Sequence, residues 1–430
     1  MENKSFSKKK DSVKNFFLLI LQRLWLTFEL FNVNGLMNHA AACAYGFLLS
    51  AAPALLFISF VVSRILSVSH EALEAILGQM DLLFGVFDAK NLIVNFLSFS
   101  NSGLTGLFSV LVIFWATRLC ALSIQRGLGV VFSGSRSMIK DNIFTLGLGL
   151  IAMFVIIITL IGLRAGILLL NSIDFISSAA ITPFLTIAAR LVFMFSLALL
   201  AMAAYRLFPA KHPRFKYILI GVLACIILYQ IFAAGFALII NPARYNLLYG
   251  TLGRLFLFLV NIYFFFVFFF FGGQLIKVLD FSDAMLFIRL RQAYLKGDQP
   301  KTIFDKLFAT LTKPLRKYHT FYKEGEPIFL KDSHGKEVYY ILSGKAGVYY
   351  DKDFQKRISV IGEYNFFGEM ASITSDERAA SIKAETDLSV LILPPVLFRM
   401  ILQLDPNIDQ SLIKILSQQL KSINQQMQSN

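Results

Sequence analysis

Up to Asp280 the chain is built from long apolar runs broken by short polar ones. Ala40 to Ser63 is uncharged between His39 and Arg64, with Pro53 as a kink, and Ile143 to Leu163 is uncharged between Asn142 and Arg164. Tyr217 to Ala243 is uncharged between Lys216 and Arg244, and Leu255 to Ile276 carries nine Phe between Arg254 and Lys277. Two further stretches, 103–131 and 178–205, are long enough but carry Arg118 and Arg126, and Arg190, respectively. A helix needs about 20 apolar residues to cross the hydrocarbon layer, where only a backbone that satisfies its own hydrogen bonds is tolerated. The pattern therefore predicts six transmembrane helices. After Asp280 it changes. Helix-like AMLFIRLRQAYL and IFDKLFATL, parted by Gly297, Asp298 and Pro300, lead into short runs that alternate with period two. These runs, PIFL, VYYILSG, AGVYY, RISVI, SIKAE and LSVLIL, predict an antiparallel barrel or jelly roll. The expected fold class is an α-helical polytopic membrane bundle joined to a soluble α+β domain whose β jelly roll is flanked by helices. The implied division is a basic arm and amphipathic interfacial helix over 1–35, a membrane domain over 36–280, a linker over 281–302 and a soluble domain over 303–430.

Charge orients the bundle. The N-terminal arm (Lys4, Lys8, Lys9, Lys10, Lys14), the 132–141 and 206–216 loops and the segment after Lys277 are basic. The alternate segments, 67–102 and 171–179, hold Glu71, Glu74, Asp81, Asp88 and Asp174. The positive-inside rule thus puts both termini in the cytoplasm, as an even number of spans requires. The basic start leads into an apolar run that Gln22 and Arg23 interrupt, unlike a cleavable signal peptide. Residues 13–31 read instead as an amphipathic helix, either resting on anionic lipid or packed on the bundle. Residues 67–102 form the long outside connection, surface-lying or re-entrant.

Composition agrees with this picture. The 430 residues are 56% hydrophobic and 16% charged, with 44 Phe and a formal net charge of +14. Such a chain is too apolar to be wholly water-soluble or disordered. Residues 1–300 carry 24 Lys+Arg against 12 Asp+Glu and residues 301–430 carry 17 against 15, so the excess charge reports topology and not a nucleic-acid partner. Cys43, Cys120 and Cys225 lie in apolar runs without a CxxC pair, and the five His show no HExxH spacing. Neither a disulfide framework nor a metal site is expected. No nucleophile–base or paired-carboxylate pattern points to an enzyme.

Arg118, Arg164, Arg190 and Arg254 fall inside or at the shoulders of the predicted spans. An Arg at a helix centre costs about 2.5–3.5 kcal/mol, and no acid within the spans is placed to pair with them. They either snorkel to the interface or line a cationic cavity for an anionic substrate or a lipid headgroup.

Three stretches together resemble the YihY/BrkB family of bacterial inner-membrane proteins: HAAACAYGFLLSAAPALLFISF (39–60), GLFSVLVIFWATRLCALSIQRGL (106–128) and LLYGTLGRLFLFLVNIYFFFVFFFFGGQLIKV (247–278). The match covers about 15–285. It departs at Gly273, where family members more often have Ala before an acidic residue, and Gln274 replaces that acid. The resemblance implies a multi-pass bundle in the bacterial cytoplasmic (inner) membrane with a transporter-like role. A ribonuclease activity finds no cluster of acids or histidines to support it.

The segment FFGEMASITSDERAASIKA (366–384) resembles the phosphate-binding cassette of cyclic-nucleotide-binding domains, and the likeness extends over about 303–427. Phe367-Gly368-Glu369 is followed after eight residues by Arg378-Ala379-Ala380-Ser381. The resemblance implies a site formed by Phe367, Gly368, Glu369, Met370, Ala371, Arg378, Ala379, Ala380 and Ser381 for cAMP or cGMP, with no metal. The chemistry suits a cyclic phosphate. Backbone N–H groups of a Gly-bearing turn bind anions, Arg378 offers a charged fork, and Glu369 can accept a ribose hydroxyl. Ala379 and Ala380 let the backbone approach, and Ser381 can add a hydroxyl. Gly325, Gly344 and Gly362 fall where such a barrel turns. Asp332-Ser333 stands where a turn usually holds Gly, which reshapes that loop without touching the cassette. In the last stretch, Ile408, Leu412, Leu416, Leu420, Ile423 and Met427 share one helix face, fit for a lid, a homo-oligomer seam or ordinary packing. No DNA-reading module is expected after it. The expected partners are membrane lipids and a cyclic nucleotide. The expected function is a transporter regulated by cytoplasmic cyclic nucleotide, cAMP ahead of cGMP. The alternative is a membrane-anchored cyclic-nucleotide sensor or scaffold without transport.

Overall fold

The structure, a computed structural model, describes residues 2–49, 118–119, 121–132, 181–209, 212–239, 242–296, 303–309, 311–374 and 376–408. They fall into two compact units, Leu26–Asp280 and Met1–Trp25 with Phe281–Asn430.

The helical unit contains the end of α1 (Glu2–Val33), then α2 (Leu36–Leu49), α3 (Ala121–Phe132), α4 (Ile181–Leu207), α5 (Phe215–Ile239) and α6 (Pro242–Asp280). Among the described residues, Phe16–Val33, Phe215–Ile239 and Leu255–Asp280 are long and apolar enough to cross a membrane. Of the predicted span 217–243, residues 217–239 lie on α5; 255–276 lies on α6, and residues 181–205 of the span 178–205 lie on α4. Those at 40–63 and 103–131 are described only in part, as α2 and α3. The span at 143–163, the 67–102 connection, Arg164 and the helix face beyond Ile408 lie outside the described residues. Phe16–Val33 is a span-length segment that the amphipathic reading of 13–31 did not count. It buries Gln22, Leu26, Thr27 and Phe31 but leaves Phe16, Phe17, Ile20, Leu24 and Phe28 exposed.

The core of this unit gathers Phe31, Leu36, Ala40, Cys43, Leu128, Tyr205, Ile218, Val222, Phe266, Phe270 and Ile276. The Phe run of α6 packs ring on ring. Phe264 stacks on Phe232 at 4.2 Å between centroids, and Phe265 meets Tyr229 edge-on at 5.6 Å. α5 and α6 come into close backbone contact at Gly221 and Gly272. A Cβ on Gly272 would come within 2.6 Å of the Gly221 carbonyl oxygen and 2.8 Å of the Tyr205 hydroxyl. Tyr205 donates that hydroxyl to the Phe269 carbonyl at 2.5 Å, satisfying a polar group with no access to water. Gln274 is fully buried, and its Oε1 accepts from Asn34 Nδ2 at 3.1 Å.

The second unit carries α7 (Ser282–Leu295), α8 (Ile303–Phe308) and α9 (Lys313–Arg316), then eight strands. These are β1 (His319–Tyr322), β2 (Pro327–Phe329), β3 (Val338–Ser343), β4 (Ala346–Tyr349), β5 (Arg357–Ile361), β6 (Phe366–Phe367), β7 (Ser381–Ala384) and β8 (Leu388–Leu393). Two short helices, α10 (Glu369–Thr374) and α11 (Pro395–Leu404), complete it. The strands pair antiparallel in two four-stranded sheets, ordered β1-β8-β3-β6 and β2-β7-β4-β5. Six strands match the alternating runs of the sequence. The short β1 and the two-residue β6 are additional.

Tyr339, Ile341, Ala346, Phe367, Ile382, Ala384, Leu388 and Val390 fill the space between the sheets. β3 is buried on both faces because Tyr340, pointing outward, meets Phe287 of α7 and Phe366 at 5.0 Å each. Phe398 of α11 then packs on Phe366. The start of α1 is bound into this unit. Gln22 Nε2 donates to the Leu307 carbonyl at 2.8 Å, and Arg23 Nη2 donates to Ser282 Oγ at 2.9 Å. Gly325, Gly344 and Gly362 sit in the turns after β1, β3 and β5.

Candidate functional site

The cassette is the link between β6 and β7. β6 pairs with β3, which seats Phe367 between the sheets with its ring stacked on Tyr339 at 4.9 Å. Gly368 then turns the chain with φ +77 into α10. A side chain is excluded there twice over. The left-handed conformation disfavours one, and a Cβ would lie 2.6 Å from Arg378 Nη1.

Arg378 reaches back across this turn. Its guanidinium is 3% exposed, and it donates from Nη1 to the Gly368 carbonyl at 2.8 Å and from Nη2 to the Glu337 carbonyl at 2.9 Å. Glu337 Oε2 lies 3.5 Å from Nη2, and the Phe329 ring lies under the fork at 4.2 Å. Burial works against the Arg378 charge and draws its pKa below the ordinary value, while Tyr339, Glu337 and Glu369 counter that shift. Glu369, 7% exposed, has its carboxyl pushed above the usual carboxylate value by burial, against the pull of its own backbone N–H and of Arg378.

The turn thus brings Phe367, Gly368, Glu369 and Arg378 together. Ala371 is buried, Met370 and Ala380 are half-buried, and Ala379 is exposed beside Arg378. Ser381 is fully buried at the start of β7, and its Oγ accepts from the Lys331 N–H at 2.9 Å, which ties the cassette to the neighbouring turn. The expectation that the Asp332-Ser333 loop leaves the cassette untouched is corrected. The Asp332 N–H donates to the Arg378 carbonyl at 2.8 Å, and the Arg378 N–H donates to the Ser333 carbonyl at 3.1 Å. Gly335 lets this loop pass over the guanidinium, since a Cβ there would sit 3.1 Å from Nη2. Glu337, Phe329 and this loop were missed by sequence reasoning. Gly335, a lone Gly in a polar turn, was their one visible signal.

Of the arginines in the predicted spans, Arg118, Arg190 and Arg254 are among the described residues. Arg118 is exposed, Arg190 lies on α4 and Arg254 on α6. Among the described residues no three His, Cys, Asp or Glu side chains form a metal-binding group.

Residues 27–283 match the family Virulence factor BrkB, and residues 319–405 match the Cyclic nucleotide-binding domain. Among solved structures, the chain is similar to the catabolite activator protein of Thermus thermophilus, with 25% identity over 25% of this chain and 52% of that one, at a TM-score of 0.24. It spans about half the length of that protein. It is also similar to the EAL enzyme Bd1971 in its cAMP-bound form (26% identity, 25% of this chain, 29% of that one, TM-score 0.20). A third is PKAR CBD2 bound to Sp-2Cl-cAMPS (21% identity, 33% of this chain, 92% of that one, TM-score 0.24). With more than half of its residues matched and apolar helices of spanning length, the chain belongs to the BrkB family of membrane proteins and carries a cyclic-nucleotide-binding domain after the family's helical region.

Proposed function

We propose that this protein is an inner-membrane transporter whose helical region is controlled by a cyclic nucleotide bound at the Gly368–Arg378 cassette. cAMP is the preferred ligand ahead of cGMP, both termini lie in the cytoplasm, and the protein acts by binding and conformational change without catalysis. One observation carries the reading: a buried, charged Arg378 is held by main-chain carbonyls beside Gly368 and Glu369, on a chain of the BrkB family. The ligand divides its contacts between the Arg378 fork and the Glu369 carboxylate, which suit a phosphate and a sugar hydroxyl. By binding one arrangement of the cassette better than another, it biases the equilibrium of whatever is coupled to it. The transported species is anionic or a lipid headgroup, in keeping with the uncompensated arginines of the predicted spans.

The test is a calorimetric titration of the purified full-length chain in detergent with cAMP and with cGMP, repeated on Arg378→Ala. Saturable binding lost in the variant is expected. Absence of saturable binding, or binding unchanged by the substitution, overturns the nucleotide assignment. Transport is tested separately in proteoliposomes, by uptake of inorganic phosphate and by flipping of labelled anionic lipid, with and without nucleotide. The second reading, a membrane-anchored sensor without transport, is favoured by the exposure of Arg118. It predicts no flux in either assay and unchanged nucleotide binding in Arg118→Gln.

A further inference from the structure

We propose that the Glu337 carboxylate is a built-in competitor for the Arg378 guanidinium, which a nucleotide phosphate must displace and which therefore sets the affinity of the site. The inference rests on the nucleotide reading above and adds a residue to it. Arg378 makes two kinds of contact. Its hydrogen bonds to the Gly368 and Glu337 carbonyls are made to neutral acceptors. These hold the fork in place and leave it with N–H groups for an anion. The Glu337 carboxylate, 3.5 Å from Nη2, is the charged contact, and an anionic phosphate seeks the same donors.

The surrounding geometry separates the two roles of Glu337. Its backbone is fixed, because its carbonyl is bonded to Arg378 and the loop before it is tied to the Arg378 main chain through Asp332 and Ser333. Its side chain is 48% exposed, whereas the guanidinium is 3% exposed. The carboxylate can therefore swing into solvent while the guanidinium and its carbonyl cradle stay put. Binding then exchanges one anion for another on a preset fork. The carboxylate neutralises a buried charge in the empty state at the expense of ligand affinity.

Glu337→Gln keeps the size and the main-chain carbonyl but removes the charge. In calorimetric titrations of the full-length chain in detergent, the variant is expected to bind cAMP and cGMP about two- to fivefold more tightly than wild type, the range of a partly exposed ion pair. The gain is expected to shrink at high salt, where such a pair is screened. Glu337→Ala moves affinity in the same direction. Binding by the variant where wild type binds too weakly to measure supports the proposal. Wild-type binding with unchanged or weakened affinity in Glu337→Gln overturns it and makes the carboxylate a positioning group. If neither wild type nor variant binds either nucleotide, the nucleotide reading itself falls, and this inference with it.

Discussion

Gly368→Ala tests the cassette through its backbone. The substitution forces a residue with a Cβ to hold φ +77, which costs about 1–2 kcal/mol. The new methyl would also lie 2.6 Å from Arg378 Nη1, 3.3 Å from the Glu337 carbonyl oxygen and 3.4 Å from Tyr339 Cδ2. Those neighbours include the buried cation and a carbonyl that holds it, so the guanidinium must move and give up its bond to the Gly368 carbonyl. A hydrogen bond to a charged group contributes about 1.5–3 kcal/mol. Even the lower ends of the two ranges together make about 2.5 kcal/mol, or roughly a 70-fold shift in the local opening equilibrium. Hydrogen exchange read by mass spectrometry on the full-length chain measures that opening over residues 366–384. Gly368→Ala should speed exchange there by about that factor and weaken nucleotide binding in parallel. Gly362→Ala is the matched control, since a Cβ at Gly362 meets nothing within 4 Å. Equal protection and equal affinity in Gly368→Ala and wild type would refute the claim that this turn holds Arg378 in place.

Two further outcomes follow from the same structure. Burial raises the Glu369 carboxyl above its ordinary value of 4.5, so over the window above that value the folded chain keeps a proton that the unfolded chain has released. This contribution to stability is full below the window and is lost as pH rises through it. The nucleotide-free Glu369→Gln variant should therefore melt above wild type at neutral pH with a flatter pH profile, yet bind nucleotide more weakly. Melting curves taken from acid to neutral pH check the sign, and an unchanged slope would count against it. In the helical unit, Gly272→Ala should cost about 1–3 kcal/mol through overpacking against the Gly221 carbonyl and Tyr205. Gly235→Ala, with nothing near its Cβ, should be tolerated. Thermal aggregation of the detergent-solubilised chain separates the two.

Strands in the soluble unit could be read where alternate residues of a short run enter the core between the sheets. The runs at β4, β7 and β8 were visible because alternate residues enter the core between the sheets. β1 escaped because its His-Thr-Phe-Tyr pattern buries no residue fully. β6 escaped because two residues have no period at all. β3 was found as one of the short apolar runs, VYYILSG, but nothing in that run says what covers its outer face. Its outward Tyr340 is buried by Phe287 of α7, a contact across more than fifty residues that periodicity cannot report. The span-length run in α1 was hidden differently, since Gln22 and Arg23 interrupt it. The structure gives both polar groups partners, Leu307 and Ser282, so the interruption does not break the helix.

The same distinction governs the site. Gly368 lies 10 positions from Arg378, and a turn followed by a short helix is enough to bring them together, so the spacing of the motif already contains the contact. Glu337 lies 41 positions away and reaches Arg378 because β3 and β6 pair, placing the start of β3 beside the cassette turn. No local pattern encodes that approach. It depends on the register Tyr339↔Phe367, and therefore on the stacked rings that fill the core behind the site. The core and the anion site are thus one structure. A substitution that slips this register would carry the Glu337 carbonyl and carboxylate away together, whereas Glu337→Gln removes the charge and leaves the carbonyl. Comparing the two separates the part of nucleotide affinity that comes from packing from the part that comes from charge.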